Sequence, residues 1–275
     1  MVTFFVLNVT CALMEIIGFI LGILIGMSLG LIGSGGSILT IPVLVYLMQI
    51  VPSTASAYSL FIVGISALAG SINGAKEKLL SAHVAFYFGL PSILAIFVMR
   101  KYIMPRVPAT LFTLSDFMFS KDLVIMMAFA VLMILSSISM IRKNPKDVQQ
   151  EVNLTTGKII AQGLIIGLLT GFVGVGGGFL IIPTLIYEAK LPMRKAVATS
   201  LVIIACNSLI GFAGSVDNIS IDWAFLLAFT GFAVVGIFTG MYLSQKISSE
   251  KLKPAFGWFI LAIGIYILVK EILFN

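Results

Sequence analysis

Residues 30–37 read GLIGSGGS, and residues 171–178 read GFVGVGGG. Each stretch interrupts an apolar run, at about 15–48 and 159–188, that is too long for one straight membrane-spanning helix and scarcely long enough for two. Glycine weakens helix interiors and permits backbone conformations that other residues rarely adopt. We therefore expect each stretch to break a helix and to leave unpaired backbone groups lining a protected cavity.

The two glycine-rich stretches belong to an internal repeat. An offset of 141 residues aligns Gly26–Gly70 with Gly167–Gly211 without a gap, and 17 of the 45 aligned pairs are identical. Shared apolar composition alone gives far fewer identities, so the chain contains two copies of one unit, as many transporters do. The identical pairs include Gly30/Gly171, Gly33/Gly174, Gly35/Gly176, Gly36/Gly177, Pro42/Pro183, Tyr46/Tyr187, Ser59/Ser200 and Leu60/Leu201.

Composition places the chain in lipid. Of its 275 residues, 60% are hydrophobic and only 10% charged, whereas soluble domains carry about a quarter charged residues. So few charges cannot cover a water-soluble fold, and we predict an all-α polytopic membrane protein. Ordinary spans are expected at about 55–74, 83–103, 122–141, 196–214, 222–243 and 255–273. Each repeat then holds one glycine-broken segment followed by three transmembrane helices.

Basic residues predict how the halves are oriented. The basic linker 142–158 separates a first repeat, 1–141, from a second, 159–275, and Lys and Arg concentrate in cytoplasmic loops. The segment 189–195 holds three basic residues and its counterpart 49–54 none, which favours opposite sides of the membrane and an inverted second repeat. Four basic residues disagree, because this scheme places them outside. They are Arg100, Lys101, Arg106 and Lys121.

The helix that restarts after each break can bind an anion, because its free N–H groups and positive dipole end attract negative charge. Hydroxyl and amide side chains on the following helices add further donors along the pathway. The alternatives are that these glycines only let helices pack closely and that the polar groups only bond between helices. The candidate substrate-binding residues are Gly33, Ser34, Gly35, Gly36, Ser37, Ser59, Gly174, Gly176, Gly177, Gly178, Ser200 and Asn207.

Several other classes are excluded or disfavoured by the sequence. Neither glycine stretch continues into the Gly-Lys-Ser/Thr ending of a phosphate-binding loop, and no strand–helix alternation suits a dinucleotide fold. Cys11 and Cys206 make no metal-ligand spacing. We therefore expect a small anionic substrate and the lipid bilayer as partners, with no cofactor, no metal, no catalytic residue and no nucleic acid. Glu15 is a candidate coupling carboxylate, although an interfacial position suits it better.

The chain carries two copies of the motif Gly-x-x-Gly-x-Gly-Gly-x, with Pro42 or Pro183 six residues after the last paired glycine. This pattern resembles the TauE/SafE family of sulfite exporters. The second half adds the stretch 198–201, ATSL, and the stretch 221–223, IDW, in matching order, while Ser34 and Ser37 depart from the family pattern. The resemblance implies export of sulfite or of sulfonates such as sulfoacetate across the cytoplasmic membrane. The alternative is a cation-coupled importer of a small organic anion or sulfur compound.

Overall fold

A computed structural model describes residues 18–33, 36–76, 79–114, 117–142, 156–244, 246 and 249–273. Ten α-helices account for most of these residues, and the all-α prediction is confirmed. The helices are α1 Gly18–Ile32, α2 Gly36–Pro42, α3 Pro52–Lys76, α4 Ala82–Val98, α5 Lys121–Arg142, α6 Thr156–Val173, α7 Gly178–Tyr187, α8 Met193–Ala213, α9 Trp223–Ser244 and α10 Ser249–Leu273.

Two of the helices continue beyond their regular part. A π-helical turn, Val43–Leu47, follows α2, and another, Met99–Ile103, follows α4 and leads into a 3₁₀ turn at Met104–Arg106. Arg100 and Lys101 therefore lie in a helical segment. The count of basic residues treats them as part of a loop, and this is wrong. A short antiparallel hairpin that the sequence did not predict, β1 Thr110–Leu114 and β2 Phe117–Ser120, precedes α5.

Six helices in the described part of the chain are long and apolar enough to cross a membrane. Five of them, α3, α4, α5, α8 and α9, coincide with predicted spans, and the sixth is α6 from the second broken run. The last predicted span, 255–273, lies within the 25-residue helix α10. Large apolar side chains such as Phe86, Trp258 and Leu273 lie exposed on the helices, as lipid contact requires. The chain is a multi-pass membrane protein.

Helical glycines allow the tightest helix contacts. On α1, a Cβ added at Gly26 or Gly30 would overlap the backbone of α9 at Ala233 or Ile237. On α6, a Cβ at Gly167 or Gly171 would meet the backbone of α4 in the same way. Small residues let membrane helices approach closely. The packing role that we kept as an alternative for the breaks therefore applies to these helical glycines.

Contacts between the two halves occur in equivalent pairs, in which both residues of one contact are related to those of the other by the 141-residue offset. Gly26 packs on Ala233 while Gly167 packs on Ser92, and Gly70 packs on Ile237 while Gly211 packs on Ile96. This equivalence extends the repeat beyond residue 70, into α4 and α9. Two halves related by a pseudo-two-fold axis are expected to show it.

Hydrogen bonds repeat in the same way. The Ser81 N–H donates to Thr199 Oγ1 across 3.1 Å, and its equivalent, the Asp222 N–H, donates to Tyr58 Oη across 2.7 Å. The turns after α2 and α7 match as well, with Gln49 at φ 54° and its equivalent Lys190 at φ 50°. The inversion of the second repeat and the assignment of 142–158 as a cytoplasmic linker stay predictions, since residues 143–155 lie outside the described ranges.

Candidate functional site

The second glycine stretch breaks the helix as predicted. The first part, α6, ends at Val173 and α7 begins at Gly178. Between them Gly174 and Gly177 adopt φ of 87° and 80°, a left-handed conformation that other residues rarely adopt. The Gly174 N–H donates to Thr170 O across 2.7 Å and closes the last turn of α6.

The first stretch has an equivalent break. Gly33 adopts φ 77°, its N–H donates to Leu29 O across 2.7 Å, and α2 begins at Gly36. Gly36 and Ser37 are buried, and a Cβ added at Gly36 would overlap the backbone of α1. Two predicted residues, Ser34 and Gly35, lie outside the described part of the chain.

A buried cation lies against the second break. Arg100 is only 4% exposed, and its Nη1 donates to Ser56 Oγ across 3.0 Å. Its Nε and Nη2 have no hydrogen-bond partner among the described residues. A Cβ added at Gly174 would overlap Nη2, so only glycine lets the guanidinium approach the break this closely. Neither Arg100 nor Ser56 is among the residues that the sequence predicts to bind substrate.

The arrangement around Arg100 is costly for the protein alone. A buried charge without a counter-charge costs several kcal/mol after relaxation, and each unmade hydrogen bond of a buried donor adds about 1–3 kcal/mol. Ionisable residues within membrane helices usually line substrate or ion pathways. Among the described residues, no negative group bonds to the two remaining guanidinium nitrogens, Nε and Nη2.

A cavity of about 410 Å³ adjoins Arg100, within the range typical of small-ligand sites. It contains two cations, Arg100 and Lys121, and one acid, Asp122. Asp122 Oδ1 accepts the Ser53 N–H across 3.0 Å, so this carboxylate is engaged with α3. The rest of the lining combines polar, small and apolar side chains. It comprises Ser53, Thr54, Ser56, Ala57, Met104, Pro105, Val107, Ala109, Ser215, Asn218, Ile219 and Ser220.

The loop side of this cavity is accessible. Ala109, Asn218 and Ser220 are exposed, while Arg100 at its inner wall is buried. An ion pair between Lys101 and Asp217 joins the end of α4 to the loop 214–222 beside the cavity. Arg100 and Lys121 thus line the cavity, and Lys101 pairs with the loop beside it. The positive charge of these three residues is therefore a weaker signal of membrane orientation than the count of basic residues assumes.

The polar residues predicted to line the pathway are buried but differ in their hydrogen-bond partners. A Cβ added at Gly176 would overlap Ser208 Oγ, which has no partner among the described residues. Asn207 Nδ2 donates to Ser92 Oγ across 2.7 Å, and Asn207 Oδ1 and Ser59 Oγ lack partners among the residues described. Ser200 Oγ donates to Val197 O within its own helix.

Gly174 and Gly176 thus pack against polar side chains, whereas Gly33 packs against apolar ones. Substrate binding by the predicted residues stays a prediction. Arg100 lies inside the predicted span 83–103, so a charge within an apolar run was the signal that could have found it. Its partner Ser56 carries no such signal, because serine is common in membrane helices. No cluster of metal-ligating side chains occurs within the described ranges.

Comparison with known proteins decides the family. The sequence profile of the family described as Sulfite exporter TauE/SafE matches residues 18–267. The chain belongs to this family. The TauE/SafE match includes both glycine breaks and Arg100, and the resemblance noted from the motifs is confirmed.

TauE/SafE relatives across bacteria and archaea are similar over nearly their whole length. A probable membrane transporter protein of Xylella fastidiosa is 28% identical over 257 residues, covering 91% of this chain and 93% of its own. One of Methanocaldococcus jannaschii is 26% identical, covering 94% of this chain and 95% of its own. The probable membrane transporter protein YunE of Bacillus subtilis is 23% identical, covering 92% and 97%. No solved structure matches the chain.

Proposed function

We propose that this TauE/SafE transporter exports small anions, sulfite or organosulfonates such as sulfoacetate, by alternating access around its paired glycine breaks. One observation carries the proposal: the buried Arg100 lies at the second break, beside a cavity of ligand size, and its Nε and Nη2 have no partner among the described residues. Arginine is the residue best suited to bind planar or tetrahedral oxyanions.

The helix that follows the break supports the same ligand class. At the start of α7, the N–H groups of Gly178 and Phe179 precede the first helical hydrogen bonds, which Leu180 and Ile181 donate to Gly177 O. The positive end of the helix dipole lies there. Arg100 and this helix end approach the break from two different elements. Negative charge placed between them is attracted by both.

Movement at the break accounts for alternation. Nε and Nη2 of Arg100 are shielded from solvent in this conformation, so an anion reaches them only when the break or the end of α4 shifts. Glycines at left-handed φ permit such backbone changes at low cost. An anion that binds the shifted form more tightly moves the equilibrium towards it.

Export needs no coupling ion. An inside-negative potential favours exit of each negative charge by about 2.3 kcal/mol per 100 mV. The proposal is therefore electrogenic uniport, and it assigns no catalytic role to any residue.

Flux from proteoliposomes tests this function. Vesicles loaded with radiolabelled sulfite receive an imposed inside-negative potential, and efflux is compared with that at zero potential and with unlabelled sulfoacetate added as a competitor. We expect efflux that rises with the potential and falls with the competitor. Sulfite efflux that ignores the potential contradicts uniport, and the absence of any sulfite or sulfoacetate flux contradicts the proposed substrate class.

Gly177→Ala links that flux to the break. Its Cβ would lie 2.7 Å from Thr170 Cγ2 at a φ of 80°, which costs roughly 1–2 kcal/mol in strain and restricts the break. We expect sulfite efflux to fall about tenfold, the effect of 1.4 kcal/mol. Gly231→Ala is the matched control, because its Cβ would meet nothing within 4 Å. Equal flux from both variants contradicts a role for the break.

A further inference from the structure

The repeat offers a comparison between two equivalent places in one molecule. A Cβ added at Gly174 would meet Ser56 and Arg100, whereas one added at the equivalent Gly33 would meet Val197. Val197 is the 141-residue equivalent of Ser56. The contact between break and helix is thus the same in both halves, while the side chains that make it differ.

Arg100 also has an apolar equivalent. The offset that pairs Ile96 with Ile237 in the interhelical contacts pairs Arg100 with Met241. Met241 lies on α9 and its backbone packs against Gly30 of α1. Ile182 also lies near Gly33. Where the second break has a guanidinium and a hydroxyl, the first has the branched alkyl groups of Val197 and Ile182, and the residue equivalent to Arg100 is a methionine.

Ser56 determines which edge of the guanidinium is free. Its hydroxyl donates to Ser53 O across 2.7 Å and accepts from Arg100 Nη1. The other two nitrogens, Nε and Nη2, have no partner in the part of the chain that the structure describes, and they form the side edge of the planar group. Two parallel N–H bonds from such an edge match two oxygens of one sulfite, sulfonate or carboxylate group.

We propose that the chain holds one oxyanion site, at the second break, where the Nε–Nη2 edge of Arg100 binds two oxygens of the anion. Ser56 is its positioning residue, and Val197 with Met241 makes the equivalent place at the first break an apolar contact that does not bind anions. This inference rests on the proposed transport of small anions and adds the residue, the edge and the number of sites.

Binding stoichiometry tests the inference. Isothermal titration of the purified full chain in detergent, with sodium sulfite and separately with sodium sulfoacetate, is expected to give one anion per chain. Arg100→Met inserts the residue that the other half already carries at this place, and we expect the affinity to fall at least 100-fold. Arg100→Lys keeps the charge but not the paired edge, and a loss of at least tenfold is expected. Met241→Leu, at the equivalent place, is the control and keeps the wild-type affinity.

Ser56 needs a comparison that separates positioning from packing. Valine and threonine have the same shape, and Val197 shows that a valine fits against the equivalent glycine. Ser56→Val is expected to weaken sulfite binding about tenfold, while Ser56→Thr, which keeps the hydroxyl, retains it. Equal losses in both variants contradict the positioning role.

The outcomes separate this inference from the proposed function. If the wild type transports and binds sulfite or sulfoacetate but binds two anions per chain, or if Arg100→Met keeps wild-type affinity while folded, the single Arg100 site is wrong and anion transport stands. If the folded wild type neither binds nor transports either anion, both fail. Cooperative thermal unfolding in anion-free buffer, measured on each variant, establishes that every protein compared is folded.

Discussion

Arg100 lowers the stability of the protein when no anion is bound, although the proposed function depends on it. Its guanidinium is 4% exposed and makes one side-chain hydrogen bond, to Ser56, among the described residues. Replacing buried ionic groups with apolar residues of similar size is often neutral or stabilising, by up to about 4 kcal/mol. The charge at this position is therefore better explained by a ligand than by packing.

This predicts an unusual result for Arg100→Met without any anion present. The melting temperature of the purified variant should equal or exceed that of the wild type, because the substitution removes an unpaired buried charge. Differential scanning fluorimetry in anion-free buffer measures it. A fall of several degrees would show that Arg100 holds the fold together and would remove the argument for a ligand.

At the scale of elements, glycines do two separate jobs. Those within helices allow backbone contact, as where Gly236 of α9 meets the backbone of α1 at Ile23 and Met27. Those in the breaks, Gly33 and Gly174, adopt left-handed φ. The clustered glycines at 33–36 and 174–178 predict the breaks from the sequence. The sequence does not show which helix each isolated glycine contacts, because that depends on which helix packs against it.

Substitution on the two faces of α9 tests the packing role. Gly236→Leu forces α1 and α9 apart, and overpacking of this kind costs about 3 kcal/mol or more when backbone is the neighbour. Gly231→Leu on the same helix meets open space and should cost under about 1 kcal/mol. Melting temperatures of the two variants in detergent measure the difference. Similar values would show that α1 and α9 do not depend on this contact.

The whole molecule is built from two halves that contact each other as equivalents. The starts of α4 and α9 are each bound by a side chain of the opposite half, Thr199 and Tyr58. These two acceptors are different residue types in equivalent places, so the symmetry lies in the fold more than in the sequence. The symmetry ends at Arg100 and Ser56, whose equivalents are Met241 and Val197, and the proposed anion site lies there.

Removing either of these two equivalent hydrogen bonds should therefore lower the stability of the protein by a similar amount. Thr199→Val and Tyr58→Phe each remove one accepting oxygen with little change in shape, and each should lower stability by about 1 kcal/mol, the net contribution of a typical hydrogen bond. Thermal unfolding of both single variants measures this. A large loss in one and none in the other would show that the two helix starts are not equivalent in energy.

The sequence by itself determined the membrane class, the helices, both breaks and the family. These follow from composition, from the length of apolar runs and from the paired glycines, which are local properties of the chain. It also predicted that Gly174 and Gly176 line a binding site, since a broken helix must line a protected space, and this stays a prediction.

Only the tertiary structure decided what faces each break. Arg100 and Ser56 lie 44 residues apart on different helices, and nothing in their local sequence joins them to Gly174. The β-hairpin before α5 and the cavity beside it depend in the same way on distant segments. Local patterns determine where the backbone must break, whereas the charge at the break depends on which helix packs against it.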